Sequence, residues 1–250
     1  MVQPSLRKDL QNSDHKYSRG VVCVAAGSTE YPGAAILTVG GARQGGAGYV
    51  TFLTRDEALE NLVISRFPDV VPIQNLNIQR CDCFVTGPGG AKPDELPSLV
   101  PVVLDSASLE LVKQKRHGIT VVTPHIGELK YLGETSVPNQ DEDRRRVAER
   151  LSRQYNVTVV LKGRHTVIAS PSSDTRVDLI GGPELATAGT GDILAGLIGS
   201  MLAHAKPTSS DDAHSVICRA VELHSRAGRF AAEKFTVVTA LEILDSLRYV

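Results

Sequence analysis

The stretch Gly181-Gly182-Pro183-Glu184-Leu185-Ala186-Thr187-Ala188-Gly189-Thr190-Gly191-Asp192 runs directly into Ile193-Leu194-Ala195-Gly196-Leu197-Ile198. Its second half is apolar almost all round, which predicts a helix buried at the centre of the fold. The first half is a small-residue loop that opens that helix. It leaves several backbone N–H groups unpaired and aimed forward, where they and the helix dipole favour an anion such as phosphate. Asp192 stands directly behind the glycines, at the mouth of the core. A carboxylate is costly beside a phosphate unless it takes a proton from an attacking hydroxyl, so the pairing points to phosphoryl transfer to an alcohol. The plainer alternative is that Gly189 and Gly191 shape a turn and Asp192 favours a first helical turn. The buried segment behind them weighs toward chemistry.

The chain has 250 residues, 42% of them hydrophobic, which is enough to bury one sizeable core, and it reads as a single domain over 1–250. The formal net charge is −1 with both signs interspersed, so neither a nucleic-acid footprint nor an acidic tail is visible and small partners are favoured. No apolar run reaches the roughly 18 residues of a membrane span, and the amino terminus lacks a secretory signal. The cytoplasm is the expected compartment. Cys23, Cys81, Cys83 and Cys218 form no CxxC pair and read as reduced, mostly packed thiols.

Residues 1–19 are polar and read as an extended arm or partial helix. Beyond them β-branched or apolar runs recur at Val21–Ala25, Tyr49–Leu53, Cys83–Thr86, Val100–Leu104, Ile119–Val122, Val157–Leu161 and Thr166–Ala169. Helical segments separate most of them. Over Arg144–Tyr155, Val147, Leu151 and Tyr155 form one stripe while Arg145, Glu149 and Arg153 face elsewhere. Ala213–Glu233 and Thr239–Leu247 are further helices; Ala205–Asp212 and Glu134–Asp141 read as surface loops. Alternating strands and helices imply βαβ units and a mainly parallel sheet covered on both faces.

Polar or glycine-rich turns follow those strands directly: Gly27-Ser28, Gly87-Pro88-Gly89, Asp105, Thr123-Pro124-His125 and Lys162-Gly163. The carboxyl ends of parallel strands share one edge, where open α/β folds bind ligands, so these turns should converge. Singly, each has a bland reading. Gly87-Pro88-Gly89 can be a turn, Lys162 a solvated cation, His125 a local cap, and Glu128 a residue that favours a helix start. Their common placement argues for one site.

With Asp192, His125 and Lys162 in place, the chain from about Lys16 onward resembles the carbohydrate-kinase-like NAD(P)H-hydrate dehydratases of the ribokinase-like superfamily. The resemblance rests on Lys16-Tyr17-Ser18-Arg19-Gly20, Gly27-Ser28-Thr29-Glu30-Tyr31-Pro32-Gly33-Ala34-Ala35, Gly45-Gly46-Ala47-Gly48, Thr123-Pro124-His125-Ile126-Gly127-Glu128, Leu161-Lys162-Gly163 and Leu185–Gly196. It implies a ribokinase-like three-layer α/β sandwich and ADP- or ATP-dependent dehydration of hydrated NADH or NADPH through a phosphorylated intermediate. On that likeness Asp192 is the catalytic base, and the amides of Ala188, Gly189, Thr190 and Gly191 form the anion hole. Ala34, Ala35, Gly87, Gly89, His125 and Asp192 line the hydrate site; Lys162, Gly163, Arg164, His165, Thr166 and Gly191 belong to the nucleotide site. Magnesium is expected on the phosphates, largely water-held, with no protein cage.

The chain departs from the family pattern at Asp105-Ser106-Ala107, where relatives commonly carry a second aspartate, and no catalytic role is expected of Asp105. The segment Asp178–Pro183 also lacks the asparagines often found ahead of the loop. A ribokinase-like kinase of a small alcohol such as hydroxyethylthiazole, or a silent nucleotide-binding module, remains an alternative. The family likeness further implies a homo-oligomer, with a tetramer among the possibilities, and an NAD(P)H-hydrate epimerase as functional partner. About 20 residues precede the first strand, so no epimerase domain is expected within the chain.

Overall fold

The computed structural model describes residues 10–138 and 140–250. Among these described residues nine strands form one sheet: β1 (Val21–Ala25), β2 (Tyr49–Leu53), β3 (Val71–Ile73), β4 (Cys83–Thr86), β5 (Val102–Leu104), β6 (Thr120–Val122), β7 (Thr158–Leu161), β8 (Thr166–Ala169) and β9 (Arg176–Asp178). Their order is β3-β2-β1-β4-β5-β6-β7-β8-β9. All neighbours through β7 pair in parallel, and β8 and β9 close the edge as antiparallel ribbons. The expected mainly parallel sheet is present. β3 and β9 are additions to the sequence reading, and β5, β6 and β7 begin later than their apolar runs. Pro101 explains the late start of β5, because it has no N–H to give the ladder.

Six α-helices among the described residues flank the sheet: α1 (Pro32–Gln44), α2 (Glu57–Arg66), α3 (Asp141–Tyr155), α4 (Thr190–Ala205), α5 (Ser210–Lys234) and α6 (Ala240–Ser246). One core joins α1, α4, α5 and α6 to one face of the sheet, through Val22, Val24, Val85, Val103 and Val121. A second core on the other face packs Leu151 and Ala148 of α3, with Leu109, Leu129 and Leu132 of two 3₁₀ segments, against Phe84, Leu104 and Val159. These are the two helical layers of a sandwich.

α3 starts before Arg144, because Asp141, Glu142 and Asp143 favour the positive end of the helix dipole. α5 begins at Ser210, capped by Ser209, whose hydroxyl accepts from the Asp212 N–H. The loop expected over Ala205–Asp212 therefore shrinks to 206–209. Of the loop expected over Glu134–Asp141, residue 139 lies outside the described residues, as do residues 1–9 of the polar arm. Residues 10–19 form turns rather than an extended arm, and Arg19 Nη2 donates to the Gly46 carbonyl at 3.1 Å.

α4 is buried from Ile193 to His204, as its apolar sequence requires. It lies so close to α1 that a Cβ on Gly196 would stand 1.9 Å from the Thr38 carbonyl oxygen, and one on Gly41 would stand 2.2 Å from that of Ile193. Backbone meets backbone here, and neither helix can yield. Gly196→Ala gains about 1 kcal/mol of helix propensity but overpacks a rigid crossing at the upper end of a cost of about 1–3 kcal/mol, so we expect a net loss of about 2 kcal/mol. A shift of the urea midpoint to lower concentration at constant slope checks this.

Candidate active site

The carboxyl ends of β5, β6 and β7 deliver Asp105, Thr123-Pro124-His125 and Lys162 to one edge, and the amino terminus of α4 faces them. A cavity of about 740 Å³ joins the two sides, with Asp105, His125, Glu128, Lys162, Gly191 and Asp192 among its lining. Gly163, Arg164 and Thr166 line it from the turn after β7, and Gly189 and Thr190 from the loop before α4.

The loop takes its shape from Gly189, the residue capping α4, which adopts φ 93° and offers no side-chain acceptor to the first turn. Thr190 turns its hydroxyl back onto the carbonyls of Leu185 and Thr187, at 3.0 and 3.1 Å. Among the described residues, the amides of Thr190, Gly191 and Asp192 meet no acceptor. They open into the cavity at the positive end of a 16-residue helix, an arrangement that suits a phosphoryl group.

Opposite them, the Lys162 N–H donates to the Pro124 carbonyl at 2.8 Å, which extends the β6–β7 register to a bridge between His125 and Lys162. The Lys162 ammonium lies 2.6 Å from Asp105 Oδ1 and 3.7 Å from Glu128 Oε2. It also packs against the anion loop, since a Cβ on Gly191 would sit 3.1 Å from Nζ. His125 caps a short 3₁₀ helix, Ile126–Leu132: its Nδ1 accepts from Gly127 N–H while Glu128 Oε2 accepts from His125 N–H at 2.8 Å. The bland capping role and a place in the site are thus both realised by His125.

Burial pushes the Asp192 carboxyl up to about 7; Asp105 and Glu128 add to the rise and Lys162 opposes it. Burial pulls Lys162 down, but Asp105, Glu128 and Asp192 outweigh it and hold the ammonium above its ordinary value. The site therefore combines a carboxylate with the basicity of a histidine and a firmly charged lysine. That pairing can accept a hydroxyl proton near neutral pH and stabilise transferring phosphate.

Other sequence-derived residues fall elsewhere. His165 turns to Asp141, with Nδ1 2.6 Å from Oδ2, and neither it nor Ala188 lines the cavity. Ala34, Ala35, Gly87 and Gly89 are not among the residues that line the cavity. A Cβ on Gly89 would stand 2.6 Å from the Ala34 Cβ, and Gly27 N–H donates to Pro88 O at 2.8 Å. Conversely, Asp105 enters the cavity without having been expected to act, and His224 of α5 reaches it with no sequence signal at all. His224 is 5% exposed, its Nε2 has no partner among the described residues, and burial pulls it down to about 4, so it is neutral. Asp105 did carry a signal, its place one residue after a strand.

The NAD(P)H-hydrate dehydratase family profile matches residues 22–248. The chain belongs to that family. The bifunctional NAD(P)H-hydrate repair enzyme Nnr of Gloeobacter violaceus is 33% identical over 90% of this chain, which spans 47% of that enzyme's length. The ADP-dependent (S)-NAD(P)H-hydrate dehydratase of Neisseria meningitidis serogroup B is 29% identical over 100% of this chain and 92% of its own. The crystal structure of the ADP/ATP-dependent NAD(P)H-hydrate dehydratase of Bacillus subtilis, co-crystallised with ATP and Mg2+, superposes with a TM-score of 0.83 at 28% identity, covering 96% of this chain and 92% of that one. The three-layer architecture is the ribokinase-like one expected from the sequence. Within the dehydratase family the chain thus spans about half the length of the bifunctional relatives and nearly all of the shorter ones. Among the described residues no helix is long and apolar enough to cross a membrane.

Proposed function

We propose that this chain dehydrates the 6S hydrate of NADH or NADPH back to the dinucleotide, with ADP or ATP as phosphoryl donor. The observation that carries the reading is one cavity lined both by the uncapped amino terminus of α4 and by Asp192 in that helix's first turn, with its carboxyl pushed up to about 7. The names of the Neisseria and Bacillus relatives support it. Hydroxide leaves carbon 6 poorly, and phosphate leaves well. Asp192 accepts the 6-hydroxyl proton as that oxygen bonds to the donor's terminal phosphorus. The bond from that phosphorus to the bridging oxygen breaks, releasing AMP when the donor is ADP. The amides of Gly189, Thr190 and Gly191 stabilise the charge in flight, and Ala188, which lies outside the cavity lining, is left out of that set. Phosphate then departs with the C–O electron pair, driven by the ring-nitrogen lone pair, and loss of a carbon-5 proton restores the double bond.

Lys162, Gly163, Arg164, Thr166 and Gly191 bind the nucleotide, and His165 braces that turn through Asp141. Ala34, Ala35, Gly87 and Gly89 give the hydrate a side wall with little bulk, and the exposed ring of His125 orients it at the rim. Bound magnesium would screen the phosphates. Among the described residues no group of three or more His, Cys, Asp or Glu converges as a metal cage, and Asp105 and Glu128 face Lys162. The donor set therefore fits an ion held by phosphate oxygens and water. The reading makes 1–250 a single dehydratase domain in the cytoplasm, supplied with the 6S hydrate by an epimerase. Exposed Phe235, Val237 and Leu241 near the carboxyl end are suited to self-association as a homo-oligomer, which light scattering would read directly.

Incubation with NADH hydrate, magnesium and either ADP or ATP tests the reaction. Recovery of dihydronicotinamide absorbance with one phosphate released per NADH is expected. A phosphoester that accumulates without recovery would mark a kinase instead. Because Asp192 must be ionised to accept a proton, kcat should fall about tenfold per pH unit below 7. A flat profile down to pH 5 would exclude Asp192 as the base.

A further inference from the structure

We propose that Asp105 is a positioning residue of this cavity: it holds the Lys162 ammonium beside the anion loop and so leaves Asp192 free to accept a proton. The proposal rests on the dehydratase reading above.

Asp105 is 3% exposed, and a carboxylate that deep needs partners. Its Oδ1 accepts from Thr123 Oγ1 and from Lys162 Nζ, each at 2.6 Å. The backbone is bent to place it there. Ser106, the next residue, sits at φ 44°, in a region that non-glycine residues avoid and that clusters at functional sites. On the other side Gly87 adopts φ 118°, and a Cβ on it would stand 1.7 Å from the Asp105 carbonyl oxygen. The small residue at position 87 therefore admits the Asp105 backbone. β5 is already paired on both sides, so the sheet does not require this strained turn.

The consequence falls on Lys162. Nζ stands between Asp105 and Glu128 on one side and the Gly191 backbone on the other. Released from Asp105, it could pair with Asp192 and quench the base. Every charged or titratable group facing Asp192 enters this balance: Asp105 from the end of β5, His125 and Glu128 from the turn after β6, Lys162 and Arg164 from the end of β7, and neutral His224 from α5. Asp105 is the one held by a buried hydroxyl.

The test titrates Asp192 by its carboxyl-carbon NMR shift in the wild type and in Asp105→Asn. Asparagine keeps the shape and removes the charge. The Asp192 midpoint should drop by at least one pH unit, the acid limb of kcat should move with it, and kcat at pH 8 should fall about tenfold while KM for the hydrate stays within twofold. An unchanged Asp192 midpoint in a folded variant overturns the proposal, even if kcat falls, because a merely structural role would not move that titration. Should Asp105→Asn not fold, Asp105→Ser carries the same comparison with the same two outcomes. The titration requires no turnover, so a wild type inactive on NADH hydrate would refute the dehydratase reading and leave this one to be decided by the shift.

Discussion

Asp192→Asn lowers kcat by about three orders of magnitude while KM for the nucleotide and the hydrate stays within a few fold. A positioned general base contributes on the order of 10²–10⁴, and the upper part of that range applies because the amide is nearly isosteric and leaves the anion loop untouched. The same change stabilises the fold at alkaline pH. The folded-state value of Asp192 is raised from 3.8 to about 7, so the stability linked to this group is fully present below pH 4 and is lost as pH rises through 7. Asparagine carries no charge to desolvate and escapes that loss. Thermal melts at pH 8 should therefore show the inactive variant a few degrees above wild type, whereas melts at pH 4 should converge. Near-normal turnover, or a melting difference that does not depend on pH, contradicts the role.

Lys162→Met has the second large effect, and it acts on both binding and folding. Asp105 and Lys162 are 4% and 17% exposed at their side chains, and removing the cation leaves a buried carboxylate without its main partner. Breaking a buried pair from one side costs about 3–5 kcal/mol; retained aqueous contact at the cavity places this case near 3. Lys162 is held above its ordinary value, so at neutral pH its full contribution is present and fades only in the alkaline range. Nucleotide affinity should fall at least tenfold. The double variant Asp105→Asn with Lys162→Met removes both charges and should recover most of the stability but none of the affinity. Equal destabilisation in the single and double variants would show that the pair is not what holds this region.

Much of the fold was legible because strands buried on both faces must read as continuous apolar runs. The apolar runs Val21–Ala25 and Cys83–Thr86 coincide end to end with β1 and β4 for that reason. β3 was not, because Val71-Pro72-Ile73 contains a proline that argues against a strand, and the residue is tolerated here because β3 is at the sheet edge. β9 is three residues long with Arg176 and Asp178 at its ends, and pairs only on one side. The site was legible to the extent that chain order reveals it: Lys162 and His125 follow strands that end at one edge, and Asp192 lies in the first turn of the buried helix that starts opposite them. The Asp105–Lys162 pair was not, because it depends on the lateral neighbours β5, β6 and β7 and on a φ of 44° at Ser106. His165 shows the converse, since its neighbours in sequence line the cavity while its own ring answers to Asp141 on another element.

The account depends on the 6-hydroxyl oxygen becoming bonded to phosphorus at Asp192 before it leaves. NADH hydrate labelled with ¹⁸O at that hydroxyl, turned over with ADP and magnesium, reads the path directly. The label should appear in the inorganic phosphate released; label found in water, with unlabelled phosphate, would mean that the hydroxyl departs without phosphorylation and would contradict the account.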